Sequence, residues 1–354
     1  MKAFLKHFVL FSAILCIPIV VELFILPLDF GTFRCWEALS VNKYPDYFYG
    51  SLYPNSTLLK TEVGDLAHHT QFARQKTVFF KTDKYGFRNT SFIKKPKVLI
   101  IGDSFTWGGG LDQDDIISSV LNRDYPDVSS YNIAPANFNL FIKMLNTNII
   151  EKPEMLVFSC VERNIFEDYF LPEIGQYDKK VTPLNKRSEY LCILLDRIGK
   201  KNMWNNFSAR LKKSHGSGLQ SPINKDIFFY QGSHVTTSIN SVLVSKFAER
   251  IMTYKKYCDS LGIKFVFLPI PNKETILYKL VPLQSQPDIL IKLHQELLQK
   301  NIATINTLDL FNYSNEKGIM LYQADDTHWN KTGAKLAAEE IMNEYKKERR
   351  SPEN

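Results

Sequence analysis

Short, continuous runs of apolar residues recur along the chain, and each is typical of a strand buried on both faces of a sheet. The clearest runs are VLII at residues 98–101, MLVFS at 155–159 and IKFVFLPI at 263–270, with shorter candidates at 129–133 and 302–306. Segments with apolar residues at helical spacing accompany them at residues 112–122, 139–150, 242–260, 289–300 and 331–346. Strands alternating with helices predict an α/β fold built on a parallel central sheet.

The first apolar segment has a different character, because it is long enough to cross a membrane. Residues 8–28 are apolar apart from Ser12 and Glu22, and about 20 such residues span the hydrocarbon core. A cleaved signal peptide is the alternative, but no Ala-x-Ala-like site occurs near residues 20–28. Lys2 and Lys6 precede the segment, so we expect an uncleaved signal anchor with its N-terminus in the cytoplasm and the rest of the chain outside it.

The regular alternation is interrupted once. Residues 167–235 are rich in Lys, Asn and Ser and show little sustained period, which indicates an inserted cap over the carboxyl edge of the sheet. We therefore predict a cytoplasmic stub and transmembrane anchor at 1–30, a linker and N-terminal extension at 31–95, and the main domain at 96–346.

Composition narrows the function classes only slightly. The formal charge of +7 over 354 residues is a mild excess without a basic stripe interleaved with aromatic residues, so nucleic acid is not an expected partner. An anionic polysaccharide or a membrane surface is equally compatible with that charge. The five cysteines form no C-x-x-C pair, and neither a metal site nor a cofactor is expected.

The first chemical signal is Gly102-Asp103-Ser104, directly after the apolar run at 98–101. The glycine permits a sharp turn, and the turn lies at the carboxyl end of a parallel strand, where open α/β folds place their sites. An exposed serine hydroxyl there meets oriented backbone N–H groups, as an oxyanion requires. The alternative is that Ser104 only caps the following helix.

The second signal is the acidic Asp325-Asp326-Thr327-His328 sequence, directly before the predicted helix at 331–346. A histidine on such a loop can take a proton from a serine hydroxyl, and a nearby carboxylate orients its ring. The alternative for His328 is a surface loop that caps the helix. His68 and His69 lie in polar surroundings and are expected to be solvated.

Together these residues resemble the SGNH, or GDSL-type, hydrolase superfamily, and in particular its membrane-anchored bacterial members. The later region, with Pro-x-Lys-Glu-Thr and Asp-Thr-His-Trp-Asn, is similar to alginate O-acetyltransferase-like SGNH domains, although those enzymes place the Asp-His motif before the serine. The resemblance implies a three-layer, flavodoxin-like fold and ester hydrolysis or acyl transfer. It also implies the bacterial inner membrane as location, with the catalytic domain in the periplasm. The superfamily spacing selects Asp325 as the orienting carboxylate, whereas the acetyltransferase-like spacing selects Asp326, which we slightly favour.

Two positions depart from the superfamily pattern. Asn137 stands where a glycine usually offers its N–H to the oxyanion, and asparagine tolerates positive φ comparatively well. The usual Gly-x-Asn-Asp block is replaced by Glu162-Arg163-Asn164 after a strand. Either Asn164 supplies the missing side-chain donor, or Glu162 and Arg163 form a structural ion pair; both Arg163 and Asn164 remain candidate contacts of the substrate.

The sequence therefore predicts an extracytoplasmic serine esterase or O-acyltransferase in which Ser104 attacks, His328 transfers protons and an aspartate orients the ring. The expected substrate is an acyl ester of a cell-envelope polysaccharide, and a transferase would need an acyl donor delivered by a membrane protein. One alternative is a plain carboxylesterase or lipase acting on small or lipid esters. The other is a non-catalytic envelope assembly or polysaccharide-binding protein that retains the fold.

Overall fold

The structure is a computed structural model. It describes residues 1–68, 70–176, 180–200, 218–230, 241–281 and 283–349. Parts of the predicted insertion, including Trp204 and Phe207, lie outside the described residues.

Four parallel strands form the central sheet in the order β4-β3-β5-β8. Their bounds are β3 Val98–Ile101, β4 Ser130–Asn132, β5 Met155–Val161 and β8 Lys264–Ile270. All residues of β3 and β5 are buried, because both faces of the sheet are covered. The sheet and the helices around it confirm the predicted α/β class.

The helices of the main domain follow the strands in the alternating manner that the apolar pattern predicts. They are α3 Ser104–Trp107, α4 Ile117–Asp124, α5 Phe138–Asn146, α6 Lys186–Lys200, α7 Ser241–Ser260, α8 Lys273–Ile276, α9 Ile289–Gln299, α10 Thr307–Glu316 and α11 Lys331–Arg349. A continuous core joins the sheet to α4, α5, α7, α9 and α11. The described part of the insertion consists of α6 and a small antiparallel pair, β6 Gly218–Gln220 and β7 Phe228–Tyr230.

The N-terminal part begins with α1 Lys2–Val20, which continues into a π-helical turn at Val21–Ile25. Phe4–Ile25 is long and apolar enough to cross a membrane by length and composition. After it come α2 Cys35–Leu39 and an antiparallel pair, β1 Thr57–Glu62 and β2 Lys76–Lys81. These elements share a second apolar cluster with Trp107 of α3, so the extension packs beside the end of β3.

Two predicted elements differ from what the structure contains. Residues 302–306 form a single parallel bridge, Phe267 to Thr304, because Asn306 already caps α10 by accepting a hydrogen bond from the N–H of Asp309. Residues 112–122 do not form one helix, since the Asp112 carboxylate accepts the N–H of Phe79 at 2.6 Å and the chain stays extended at Ile116.

Candidate active site

Ser104 begins a one-turn helix immediately beyond the end of β3. The carboxylate of Asp103 fixes this turn, because it accepts the N–H of Phe105 at 3.0 Å and the N–H of Val161 at 2.7 Å. One bond caps α3 and the other ties the turn to the neighbouring strand β5. Burial raises the pKa of Asp103, yet both backbone donors favour its ionised form.

The loop that carries His328 is a tight return of the chain before α11. Tyr322 and Trp329 pair as an antiparallel bridge, and the N–H of Gln323 donates to the carbonyl of His328 at 3.0 Å. Trp329 is completely buried, so it holds the loop against the core. His328 Nε2 lies 2.8 Å from Ser104 Oγ, although 224 positions separate the two residues in the chain.

A glycine makes room for this contact. A Cβ placed on Gly109 would lie 2.8 Å from the ring atoms of His328, which is closer than side-chain carbons approach. The preceding Gly108 has a φ of 87° and ends α3 in the left-handed conformation, which glycine adopts without strain. The GGG sequence after Trp107 therefore shapes the space that the imidazole occupies.

Of the two aspartates that the sequence left open, Asp326 contacts the imidazole. Its Oδ1 lies 2.7 Å from His328 Nδ1, and its Oδ2 is paired with the guanidinium of Arg34. Lys76 Nζ lies 3.8 Å from the same oxygen. Burial alone would raise the pKa of Asp326, but the charges of Arg34, His328 and Lys76 hold this pKa well below its usual range.

Asp325 has a different environment, which connects the loop to the N-terminal extension. Its Oδ2 accepts the N–H of Gly64 at 3.0 Å and the N–H of Arg74 at 2.8 Å. Asp65 makes a second connection, since its carboxylate accepts both the N–H and the hydroxyl of Thr327, at 3.0 and 3.1 Å. The extension thus contacts three consecutive residues, 325–327.

Lys273 holds the loop that carries His328 through hydrogen bonds to its backbone. This side chain is 1% exposed, and its Nζ donates to a group of backbone carbonyls at 2.6–3.1 Å, those of Phe228, Gln323, Ala324 and Asp326. Burial lowers the pKa of Lys273 to about 8. The Lys of the Pro-x-Lys-Glu-Thr sequence therefore has a clear structural partner in the His328 loop.

Arg34, Asp65 and Lys76 are contacts that the sequence did not reveal. They come from a segment without the regular pattern of the main domain, and no motif connects them with residues 325–328. Lys273 did carry a signal, because a lysine directly after a buried strand needs polar partners. His68, expected to be solvated, is partly exposed and lines the same cleft as Ser104, with its ring 5.4 Å from that of Phe33. His69 lies outside the described residues.

The candidate oxyanion donors lie in the walls of two different clefts, Ser104 in the one that also contains His328 and Asn137 in another that shares Pro135 with it. The N–H groups of Ser104 and Asn137 donate to no other described residue. Asn137 has a φ of −92°, outside the left-handed region, so its tolerance of positive φ is not needed; its side chain caps α5 by accepting the N–H of Leu140 at 3.3 Å.

Arg163 and Asn164 are not in the wall of the cleft that contains Ser104. The guanidinium of Arg163 lies over the rings of Phe105 and Tyr230, at 5.2 and 5.5 Å. Glu162 does not pair with it, because its carboxylate accepts the N–H of Asn272 at 2.9 Å and the hydroxyl of Thr275 at 2.6 Å. Burial raises the pKa of Glu162 to about 7.

A cleft of about 480 Å³ opens above Ser104 and His328. Its volume is in the range of small-molecule sites. The extension supplies most of its wall, with both apolar and polar side chains, and the residues from the main domain are Ser104, Trp107, Gly109, Pro135 and His328. The aromatic residues Phe33 and Trp36 give the cleft an apolar side next to the serine.

Asp65, Asp326 and His328 lie close enough together to hold a metal ion, with ligand atoms within 4.8 Å of one another. However, Oδ1 of Asp326 faces the imidazole, its Oδ2 is paired with Arg34, and Asp65 accepts two hydrogen bonds from Thr327. A guanidinium thus already occupies the position of a cation. The arrangement fits a charge-balanced hydrogen-bond network better than a metal centre.

Comparison with solved structures gives distant likenesses to esterases and lipolytic proteins. The esterase EstA of Pseudoalteromonas sp. is 15% identical, covers 71% of this chain and 96% of its own, and has a TM-score of 0.34. A lipase/acylhydrolase of Enterococcus faecalis is 17% identical, covers 73% of this chain and 99% of its own, and has a TM-score of 0.36. A G-D-S-L family lipolytic protein of Veillonella parvula is 10% identical, covers 70% of this chain and 96% of its own, and has a TM-score of 0.38.

No curated protein sequence matches the chain significantly. Residues 228–354 match the family model of the SGNH hydrolase-like domain of the acetyltransferase AlgX. The matched residues include Lys273, Asp326 and His328 but not Ser104. The predicted resemblance to SGNH hydrolases, with an AlgX-like later region, is thus confirmed as a similarity.

Proposed function

We propose that the chain is a serine esterase or O-acyltransferase in which Ser104, His328 and Asp326 form the catalytic triad. The proposal rests on two consecutive hydrogen bonds. Ser104 Oγ lies 2.8 Å from His328 Nε2, and His328 Nδ1 lies 2.7 Å from Asp326 Oδ1. In that geometry the imidazole accepts the hydroxyl proton while Oγ attacks an ester carbonyl carbon. The carboxylate of Asp326 fixes the ring tautomer and stabilises the imidazolium.

The developing oxyanion would be stabilised by the N–H groups of Ser104 and Asn137. Collapse of the tetrahedral intermediate breaks the ester C–O bond, and the imidazolium gives its proton to the leaving alcohol. The acyl group remains on Oγ until a second hydroxyl, from water or from a sugar, attacks its carbonyl carbon with His328 again acting as base. The acyl C–Oγ bond then breaks, and the imidazolium returns its proton to Ser104 Oγ. Water as acceptor gives hydrolysis, and a sugar hydroxyl gives acyl transfer.

The same proposal includes location and substrate. The apolar helix Phe4–Ile25 would anchor the chain in the bacterial inner membrane, with Lys2 and Lys6 in the cytoplasm and the catalytic domain in the periplasm. An acyl ester of an envelope polysaccharide is the proposed substrate. Similarity to the AlgX acetyltransferase domain over residues 228–354 supports an acetyl group, and transfer would require a membrane protein as acyl donor.

The decisive experiment uses the full chain in lipid nanodiscs with a panel of acetyl and longer acyl esters and a fluorophosphonate serine probe. We expect the probe to label Ser104 and ester turnover to fall by about 10⁴-fold or more in Ser104→Ala. Asp326→Asn should lose about 10⁴-fold because the ring takes the wrong tautomer. The matched control is Ser119→Ala, on α4 and away from the cleft, which should behave as the unchanged protein.

The outcome separates the alternatives. Acetyl transfer from a donor ester to oligosaccharides distinguishes a transferase from a plain esterase or lipase. Equal turnover by Ser104→Ala and the unchanged protein would refute the triad. If the protein binds glycans but shows no ester turnover and no labelling by the probe, it is a non-catalytic binding or assembly protein.

A further inference from the structure

Helix α6 is firmly held on one side. Asp196, which is almost fully buried, accepts the N–H groups of Asn42 and Lys43 at 3.0 and 2.5 Å and the hydroxyl of Tyr53 at 2.6 Å. Lys200, at the end of the helix, donates to the carbonyl of Ala38 at 2.8 Å. The orientation of α6 about its own axis is therefore fixed by polar contacts with the extension.

The opposite side of α6 is apolar and faces outward. Tyr190, Leu191 and Leu195 are 60%, 55% and 42% exposed, and Leu194 and Ile198 on the same side are half-buried. At about 3.6 residues per turn these five residues form one stripe, which lies opposite Asp196. A contiguous exposed stripe of this kind, unlike a single exposed leucine, indicates an interaction surface.

Helix α6 lies beside the end of the apolar N-terminal helix. The guanidinium of Arg197 donates to the carbonyl of Glu22 at 3.1 Å, and Glu22 belongs to the π-helical turn that ends the apolar helix Phe4–Ile25. The side chains of Phe24 and Ile25 in that turn are exposed. The outward stripe thus begins beside the last turn of the helix that is apolar enough to cross a membrane.

Charged and aromatic residues around the stripe fit the same environment. Lys186 and Arg187 are exposed in the first turn of α6, where they can meet anionic lipid headgroups. Phe30, Phe33 and Trp36, in the segment that follows the apolar helix in sequence, are also partly exposed. Aromatic side chains are enriched at the level of lipid headgroups.

We propose that α6 lies on the lipid bilayer with Tyr190, Leu191, Leu194, Leu195 and Ile198 in the headgroup region, and that it holds the mouth of the Ser104 cleft at the membrane surface. Phe33 and Trp36 are partly exposed and line the cleft, and Lys200 ties α6 to the helix that carries Trp36. The ester that reaches Ser104 is then one carried at the bilayer surface, a consequence that rests on the proposed function.

Immersion of α6 is tested by electron paramagnetic resonance on the full chain in nanodiscs of equal parts phosphatidylcholine and phosphatidylglycerol. Nitroxides are attached to Leu191→Cys or Leu195→Cys in a background with Cys16→Ser and Cys192→Ser. The matched control is Leu298→Cys on α9, since Leu298 is also 55% exposed. We expect labels on α6 to be accessible to oxygen and protected from a water-soluble nickel complex, and the label at 298 to show the reverse. Equal nickel accessibility at all three positions would overturn the proposal.

An activity measurement tests the consequence separately. Leu191→Glu should lower turnover of an ester embedded in the same lipids by about tenfold or more, because the charge opposes immersion, and should leave turnover of a water-soluble ester unchanged. Leu298→Glu should change neither. If Leu191→Glu lowers turnover of both esters equally, or lowers neither, the membrane role of α6 is contradicted. If the unchanged protein turns over neither ester, the proposed function is refuted, and the resonance result still tests the immersion of α6.

Discussion

At the residue scale, the site is organised by the charge on Asp326. This carboxylate is fully buried, where an isolated charge is costly, and it is compensated by Arg34, by Lys76 and by the imidazole of His328. Burial alone would lower the pKa of the Arg34 guanidinium, but the negative charges of Asp326, Asp65 and Glu62 raise it above its usual value. The network keeps Asp326 ionised, and only the ionised form both orients and stabilises the imidazolium.

The pH dependence of Arg34→Gln tests this compensation. Because the folded-state pKa of Asp326 is lowered, its stabilisation is present above about pH 4, where a free aspartate titrates, and is lost as the pH falls through the folded-state value. Without the guanidinium the pKa of Asp326 rises, so Asp326 takes up its proton at higher pH. We expect the acid-unfolding midpoint, followed by circular dichroism, and the acid limb of kcat/KM both to move to higher pH. Lys76 remains in place, so the limb shifts rather than disappears.

Arg123→Gln is the control for this experiment, because Arg123 forms a largely exposed pair with Asp124, and such pairs contribute little to stability. Its acid midpoint and rate profile should match those of the unchanged protein. If Arg34→Gln also behaved like the unchanged protein, compensation of the Asp326 charge by the Arg34 guanidinium would be excluded.

Sequence reasoning finds some of these residues and misses others for a physical reason. Ser104 and His328 lie in short motifs beside a strand end and a helix start, so local chemistry marks them. Arg34 pairs with a residue 292 positions away, and nothing in its neighbourhood encodes that partner. Choosing between Asp325 and Asp326 likewise depends on side-chain directions in a tight loop, which spacing does not determine.

At the scale of elements, the His328 loop depends on α8 as much as on its own hairpin. Lys273, the first residue of α8, donates to four carbonyls of the loop and of β7. The carbonyl of Ala324 also accepts the N–H of Phe228, whereas the carbonyls of Phe228, Gln323 and Asp326 accept from Lys273. Sequence periodicity predicts the helix after this loop and the strand before α8. It does not predict a lysine that joins them, because that contact requires the sheet to be assembled first.

Lys273→Met should therefore destabilise the protein and disturb the site together. Methionine keeps the side-chain length but leaves several carbonyls unsatisfied, at about 1–3 kcal/mol for each group, so we expect a loss of about 3 kcal/mol or more in the free energy of unfolding. Urea unfolding measures this loss, and kcat/KM measured well below the transition should fall as the backbone at Asp326 is released. Lys279→Met is the control, since Lys279 is exposed and lies only over the ring of Tyr278. Normal stability in Lys273→Met would show that water or rearrangement replaces the ammonium.

At the scale of the whole molecule, the apolar runs are enough to predict the sheet, since strands buried on both faces show their burial directly in the sequence. The role of the extension is not visible in this way. Its strands β1 and β2 are short and partly exposed. It contacts the domain through the apolar cluster around Trp107, through the buried guanidinium of Arg88, which donates to the carbonyls of Gly108 and Leu111, and through hydrogen bonds to residues 325–327. The extension and the site therefore form one structural unit although they are far apart in sequence.

Asp325→Ala tests this unity. The substitution removes the acceptor of the N–H groups of Gly64 and Arg74, and leaving such groups unsatisfied costs about 1–3 kcal/mol each. We expect hydrogen exchange, followed by mass spectrometry, to accelerate in peptides covering residues 62–76 and to stay unchanged in β3 and β5, because local opening precedes global unfolding. The control is Asp114→Ala, at an exposed position between α3 and α4. It should leave hydrogen exchange unchanged both at residues 62–76 and in the central strands. Faster exchange in the central strands as well would mean that Asp325 supports the whole fold, and unchanged exchange at 62–76 would mean that the extension is held to the site without it.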